Sequence, residues 1–208
     1  MQGLELIKKI KIVPVVKITD VNTTLPVMNA LKNGGIPIAE ITYRTECASE
    51  AISIAVKNCP DMLIGAGTVV NAEQARSAIA SGAQFIVSPG FSSKVADVCK
   101  EKGILYIPGA ITPTEIMATM EYDLPIIKFF PAETFGGLAS IKALSAPFPK
   151  HVFIPTGGIN KTNIKEYLSF SKIIACGGSW MVKDSLINNG EYDKIEEISR
   201  EAIKEINE

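Results

Sequence analysis

Lys128 stands in the run Ile126-Ile127-Lys128-Phe129-Phe130-Pro131, whose other members favour burial. Lysine is seldom fully buried, because taking an ammonium out of water is costly. A free lysine has a pKa near ~10.4, so about one amine in a few thousand is neutral at pH 7. Burial or a neighbouring cation disfavours the ammonium and enlarges the nucleophilic fraction. Such an amine condenses with a ketone to an iminium, an electron sink for breaking an adjacent C–C bond. Three plainer readings stay open from the residues alone: a snorkelling side chain, a misread surface strand, and a buried ion pair with Glu40.

Glu40, Thr42 and Arg44 share one face of the segment 36–44, IPIAEITYR, because side chains alternate along a strand. Ala39, Ile41 and Tyr43 suit the opposite, helix-covered face, which sends the carboxylate and the guanidinium inward. At ~3.3 Å per residue, Arg44 then lies roughly 13 Å further along the strand than Glu40. By the same alternation Lys128 shares a face with Ile126 and Phe130. Two glycine pairs, Gly157-Gly158 in PTGGI and Gly177-Gly178 in CGGSW, complete the set. Glycines let backbone N–H groups approach an anion closely, and the Ser179 hydroxyl adds a donor. Either pair alone is an ordinary turn signal; together they point to a phosphorylated ligand.

The elements that must hold these residues repeat along the chain. Strand candidates fall at 12–18, 36–44, 63–69, 85–90, 105–110, 126–131, 152–158 and 173–179. Helical patterns lie between and after them, at 22–33, 45–58, 71–81, 92–102, 113–121, 137–145, 161–170 and 191–206, with a short amphipathic helix at 2–10. Asn71 reads as an N-cap and Gly103 as a left-handed helix stop. Eight strand–helix units without a linker predict a parallel (β/α)8 TIM barrel spanning residues 1–208 as one domain. An open doubly wound sheet is the alternative, weakened by the absence of GxGxxG after the first strand. In such a barrel chemistry collects where strands run into their helices, and loops seven and eight commonly hold phosphate.

Composition narrows the function classes. With 21 basic and 22 acidic residues among 208, the chain carries no basic run that would grip nucleic acid. No stretch reaches the ~18 apolar residues of a membrane span, and the lysine-broken start is a poor secretory signal. Four scattered cysteines, Cys47, Cys59, Cys99 and Cys176, read as reduced core thiols of a cytoplasmic protein, Cys47 and Cys99 with room for partial exposure. The single histidine, His151, disfavours a histidine-built metal centre and reads as a surface residue before a strand.

With these residues in place, the sequence resembles the 2-keto-3-deoxy-6-phosphogluconate (KDPG) / 4-hydroxy-2-oxoglutarate (KHG) aldolase family, class I Schiff-base enzymes. The likeness runs from about residue 12 to 195. It rests on EITYRT at 40–45, GAGTVVN at 65–71, SPG at 88–90, IPGAITPTE at 107–115, IKFFPAE at 127–133, PTGGI at 155–159 and GGSW at 177–180. The resemblance implies Lys128 as the imine-forming lysine, Glu40 as the proton shuttle, Arg44 as the pyruvate-carboxylate ligand and Thr68 as a further pyruvate contact. It also implies Pro89 and Phe130 as pocket walls, and Gly157, Gly158, Gly178 and Ser179 as the phosphate cradle. The implied chemistry needs no cofactor or metal, and the implied assembly is a homotrimer. Two departures stand out: Lys17 lies where the family varies, and the loop reads AETFGG, which puts Phe135 near the rim. A sister aldolase for the galactonate epimer keeps every residue named here. A phosphosugar isomerase or epimerase on the same barrel uses paired acid–base groups or a metal without an imine, and a non-catalytic phosphosugar-binding protein keeps the glycine pairs but has no use for a buried lysine.

Overall fold

A computed structural model describes residues 2–208. Its eight strands are β1 (Ile12–Val16), β2 (Ile38–Thr42), β3 (Leu63–Gly67), β4 (Phe85–Val87), β5 (Leu105–Ile107), β6 (Ile126–Phe129), β7 (Val152–Pro155) and β8 (Cys176–Gly178). All recorded strand pairings are parallel, in the order β5-β4-β3-β2-β1-β8 and, separately, β6-β7. Backbone contacts close the two seams. Lys128 N–H donates to the Pro108 carbonyl at 2.8 Å and Ala110 N–H to the Lys128 carbonyl at 3.1 Å, joining β6 to the β5 side. Phe153 N–H donates to the Lys172 carbonyl at 2.7 Å, and Thr156 bridges Gly177, joining β7 to β8. The circuit therefore returns on itself as a (β/α)8 barrel, and the open-sheet alternative fails.

Helix α1 (Gln2–Ile10) precedes the barrel, and α2 (Thr24–Asn33), α3 (Ala48–Asn58), α4 (Ala72–Ala80), α5 (Ser93–Lys102), α6 (Pro113–Met120), α7 (Gly137–Ser145) and α8 (Ile164–Leu168) follow successive strands. After β8 come a short α9 (Asp184–Asn188) and the long α10 (Tyr192–Asn207). Local chemistry sets the ends. Asn71 accepts from the Gln74 N–H at 2.9 Å, Gly103 stops α5 at φ 65°, and Thr112 with Glu115 forms a capping box.

Strand alternation divides the apolar residues into two cores. Ala39, Ile41, Ile64, Ile86, Ile127, Phe129 and Phe153 pack outward against the helices. Val13, Ile38, Leu63, Phe85, Val87, Ile107, Ile126 and Ile154 fill the barrel, and Ile7 of α1 joins them from below. The small residues of β3, LIGAG, have a steric purpose: a Cβ at Gly65 would strike the Phe85 ring. That ring fills the space the glycine leaves.

Four expectations change. Strands end earlier than their apolar runs, since positions such as 43–44 and 88–90 already turn toward the helices. Helix α9 fills part of the stretch between the predicted eighth strand and the last predicted helix, where the sequence pattern assigns no element. His151 is 5% exposed, packed edge-on against Phe148 with ring centroids 5.9 Å apart, so it is not a surface residue. Cys99 is fully enclosed, and only Cys47 keeps partial access.

Candidate active site

Because the strands are parallel, the residues following each one gather at one mouth of the barrel. Glu40, between Ile38 and Thr42 on β2, points inward and is 3% exposed. Lys128, in β6, points inward from the opposite wall and is 6% exposed. Their side chains meet at 3.1 Å from Nζ to Oε1. The Lys128 ammonium also lies 5.4 Å from the centroid of the Phe130 ring, within cation–π range. Snorkelling and surface-strand readings of Lys128 therefore fail, while the ion pair is present. A small void beside the pair is walled by Val13, Phe85, Val87, Ile107, Ile154 and Thr156.

Glycines give the pair its room. A Cβ at Gly67 would overlap the Glu40 carboxylate, and one at Gly109 would overlap the Pro89 carbonyl beside the seam that holds Lys128. Thr68 follows Gly67 with φ 56°, a left-handed conformation that β-branched residues rarely adopt. Such strain collects at functional sites. Arg44 lies on the turn beyond Thr42, exposed, and forms no salt bridge among the described residues. It is thus not on the strand itself, so the extended-strand spacing from Glu40 does not apply. Pro89 sits at the exposed rim after β4, and Phe130 at the rim after β6.

After β7 the chain turns through Gly157 and Gly158 at φ 95° and 82°. Among the described residues, neither N–H donates to a backbone or side-chain acceptor, which leaves two donors free. Gly157 lies against Phe130 and Pro131, so this loop abuts the end of the lysine strand. Gly178 closes β8 under the Trp180 ring, and Ser179 follows it, exposed. Lys17, just past β1, pairs with Asp184 of α9 at 2.9 Å across the same rim.

A family profile described as "Aldolase: KDPG and KHG aldolase" matches residues 4–198. The chain is 42% identical over 200 residues to the 2-dehydro-3-deoxy-phosphogluconate aldolase of Treponema pallidum, covering 96% of this chain and 95% of that protein. It is 39% identical to the KHG/KDPG aldolase of Escherichia coli K12, covering 93% and 91%. Among solved structures it resembles the KDPG aldolase of Legionella pneumophila, in which pyruvate was captured at low pH as a covalent carbinolamine intermediate. That likeness has TM-score 0.92 and 36% identity, covering 96% of this chain and 97% of that one. The chain belongs to the KDPG and KHG aldolase family.

Within this aldolase frame, two residues carry no site role in the sequence reading. Thr156 is buried beside the Lys128–Glu40 pair, a place readable from its phase with inward Ile154. Gly67 is the other; its spacing from Glu40 across β2–β3 becomes meaningful only once Thr42 pairs with it. The thiols offer no rival nucleophile in the core. Burial pushes the Cys99 thiol up to about 12 and raises Cys176 as well. Among the described residues, no three His, Cys, Asp or Glu side chains cluster as metal ligands, and no helix is long and apolar enough to cross a membrane. Phe135 is 47% exposed on the loop after β6.

Proposed function

We propose that the chain is a class I aldolase that cleaves 2-keto-3-deoxy-6-phosphogluconate to pyruvate and glyceraldehyde 3-phosphate through an imine on Lys128. The observation that carries this reading is an amine and a carboxylate paired at 3.1 Å inside a closed barrel of this family. Proton transfer from Lys128 to Glu40 across that contact frees the amine. The amine adds to the C2 ketone to give a carbinolamine, and Glu40 hands its proton to the departing hydroxyl, so that loss of water leaves the iminium and a Glu40 carboxylate again. Arg44 and Thr68 hold the C1 carboxylate at the mouth, with Pro89 and Phe130 as walls. Glu40 takes the C4 hydroxyl proton, directly or through a water. The C3–C4 bond then breaks, its electron pair passing into the iminium to form an enamine, and the aldehyde leaves. Protonation at C3 and hydrolysis return pyruvate and the free amine.

The free N–H groups of Gly157 and Gly158, with Gly178 and Ser179, form the phosphate cradle of this reading. Lys17, on the same rim, becomes a further phosphate partner if it leaves Asp184. The lysine, carboxylate and arginine also suffice for 4-hydroxy-2-oxoglutarate, which yields pyruvate and glyoxylate without phosphate. The sister reading, cleavage of the galactonate epimer, uses the same residues and is separated by kinetics on the two C4 epimers. The reading includes a cytoplasmic barrel domain over residues 1–208 acting as a homotrimer. Exposed Met117 and Met120 of α6 are apolar surface such an assembly would cover, and sedimentation equilibrium gives three times the chain mass if it forms.

The deciding experiment incubates the protein with pyruvate, reduces with borohydride and maps the adduct by mass spectrometry. A pyruvate-derived adduct on Lys128 is expected. Folded protein that cleaves the substrate without any such adduct refutes the imine.

A further inference from the structure

We propose that Glu133 and Tyr167, neither of which touches the reacting atoms, are a positioning pair that sets the phosphate loop against the lysine strand. The inference rests on the aldolase reading above and assigns residues to the phosphate grip of that same site.

The loop after β6 and the loop after β7 are joined by backbone. Ala132 N–H donates to the Thr156 carbonyl at 2.8 Å, and Glu133 N–H to the Gly157 carbonyl at 3.1 Å. The side chain of Glu133 then lies across Gly158, where any Cβ would collide with its Cβ and Cγ. Its carboxylate accepts a hydrogen bond from the Tyr167 hydroxyl. Tyr167 is 2% exposed on α8, the helix that follows the phosphate loop. Burial and the Glu133 carboxylate both raise the Tyr167 phenol, so it remains a donor across the neutral range. From the other side, the amides of Asn160 and Asn163 hold the Gly158 carbonyl at 3.1 and 3.0 Å. Gly158 is thus clamped between an Asn pair that fixes its carbonyl and a glutamate stem that covers its Cα. The Tyr167 bond keeps that stem in place. Without the bond, the two free N–H donors lose their fixed direction while the Lys128–Glu40 pair, on the strands beneath, is untouched.

The test compares E133A, Y167F and the conservative E133Q, which still accepts from the tyrosine, after thermal melts show that each is folded. For the phosphorylated substrate, E133A and Y167F should raise KM about five- to twentyfold, the scale of one lost hydrogen bond, with kcat within about twofold. Kinetics on 4-hydroxy-2-oxoglutarate and borohydride trapping of pyruvate should stay as in the unsubstituted protein, and E133Q should restore most of the KM. Equal losses on both substrates, or no change in KM, overturn the proposal. Calorimetric binding of inorganic phosphate supplies an arm independent of catalysis. Should the unsubstituted protein form no Lys128 adduct, the aldolase reading falls. Weaker phosphate binding by E133A and Y167F then still upholds the clamp, and unchanged binding removes it.

Discussion

Lys128 and Glu40 face each other in a chamber from which water is nearly excluded, and each makes the other's burial tolerable. Removing one partner of a buried pair leaves an uncompensated charge, which costs about 3–5 kcal/mol, whereas replacing both by apolar groups is often nearly neutral. Lys128→Met should therefore lose about that much stability along with aldol cleavage, the latter by about 10⁴-fold or more. The double variant Lys128→Met/Glu40→Leu should recover most of the stability and none of the activity. Urea denaturation and a coupled lactate dehydrogenase assay measure the two quantities. Glu40→Gln keeps the shape and loses the proton acceptor, so kcat should fall by ~10²–10⁴ while the borohydride adduct still forms slowly. Had the pair been a structural tie alone, the double variant would retain turnover.

The strands explain why these side chains were readable and others were not. Alternation in IPIAEITYR and IIKFFP predicted the inward phase of Glu40 and Lys128, because a one-residue slip would bury the wrong face of an entire strand. Strand ends carry no such penalty. At the end of β2, Tyr43 N–H still bonds the Gly67 carbonyl at 2.7 Å, yet the chain is already turning, so Arg44 leaves the strand geometry that spacing alone suggests. Helix α9 was missed because five residues cannot display a helical period. The left-handed φ of Thr68 was invisible for the opposite reason: its side chain argues against it. Within β3 the empty positions matter as much as the filled ones. Gly67→Ala places a methyl group on the Glu40 carboxylate, and overpacking of this kind costs about 1–3 kcal/mol. Its larger consequence should be kinetic, a fall in kcat exceeding any rise in KM, because the displaced group is the one proposed above to shuttle the proton. Steady-state kinetics beside a thermal melt separates the two, and a variant with unchanged kcat would show that Glu40 tolerates displacement.

Across the whole molecule, the two ends of the barrel differ in kind. The end opposite the mouth carries His151 just before β7, buried against Phe148 and near Lys172. Burial first, then the Lys172 charge, holds its imidazole below the ordinary value of about 6.5. The unfolded chain consequently binds a proton there more readily than the folded one. Stability should hold above about pH 6.5 and decline as acidity rises through the depressed folded value. Melts from pH 7.5 to 5 should show His151→Gln losing less than the parent over that window; parallel curves would assign the acid sensitivity elsewhere. Composition hid this, since one histidine among 208 residues says nothing of its surroundings. The same end is stoppered by α1, whose Ile7 sits among Val13, Ile38 and Leu63. A cylinder corked at its floor is a cul-de-sac: whatever is tethered deepest departs last. The aldehyde half, nearest the exit, must clear out before the three-carbon acid is hydrolysed off its amine. Ordered departure of this kind makes pyruvate a competitive inhibitor of cleavage and glyceraldehyde 3-phosphate a mixed one; the reverse pattern would mean a second doorway.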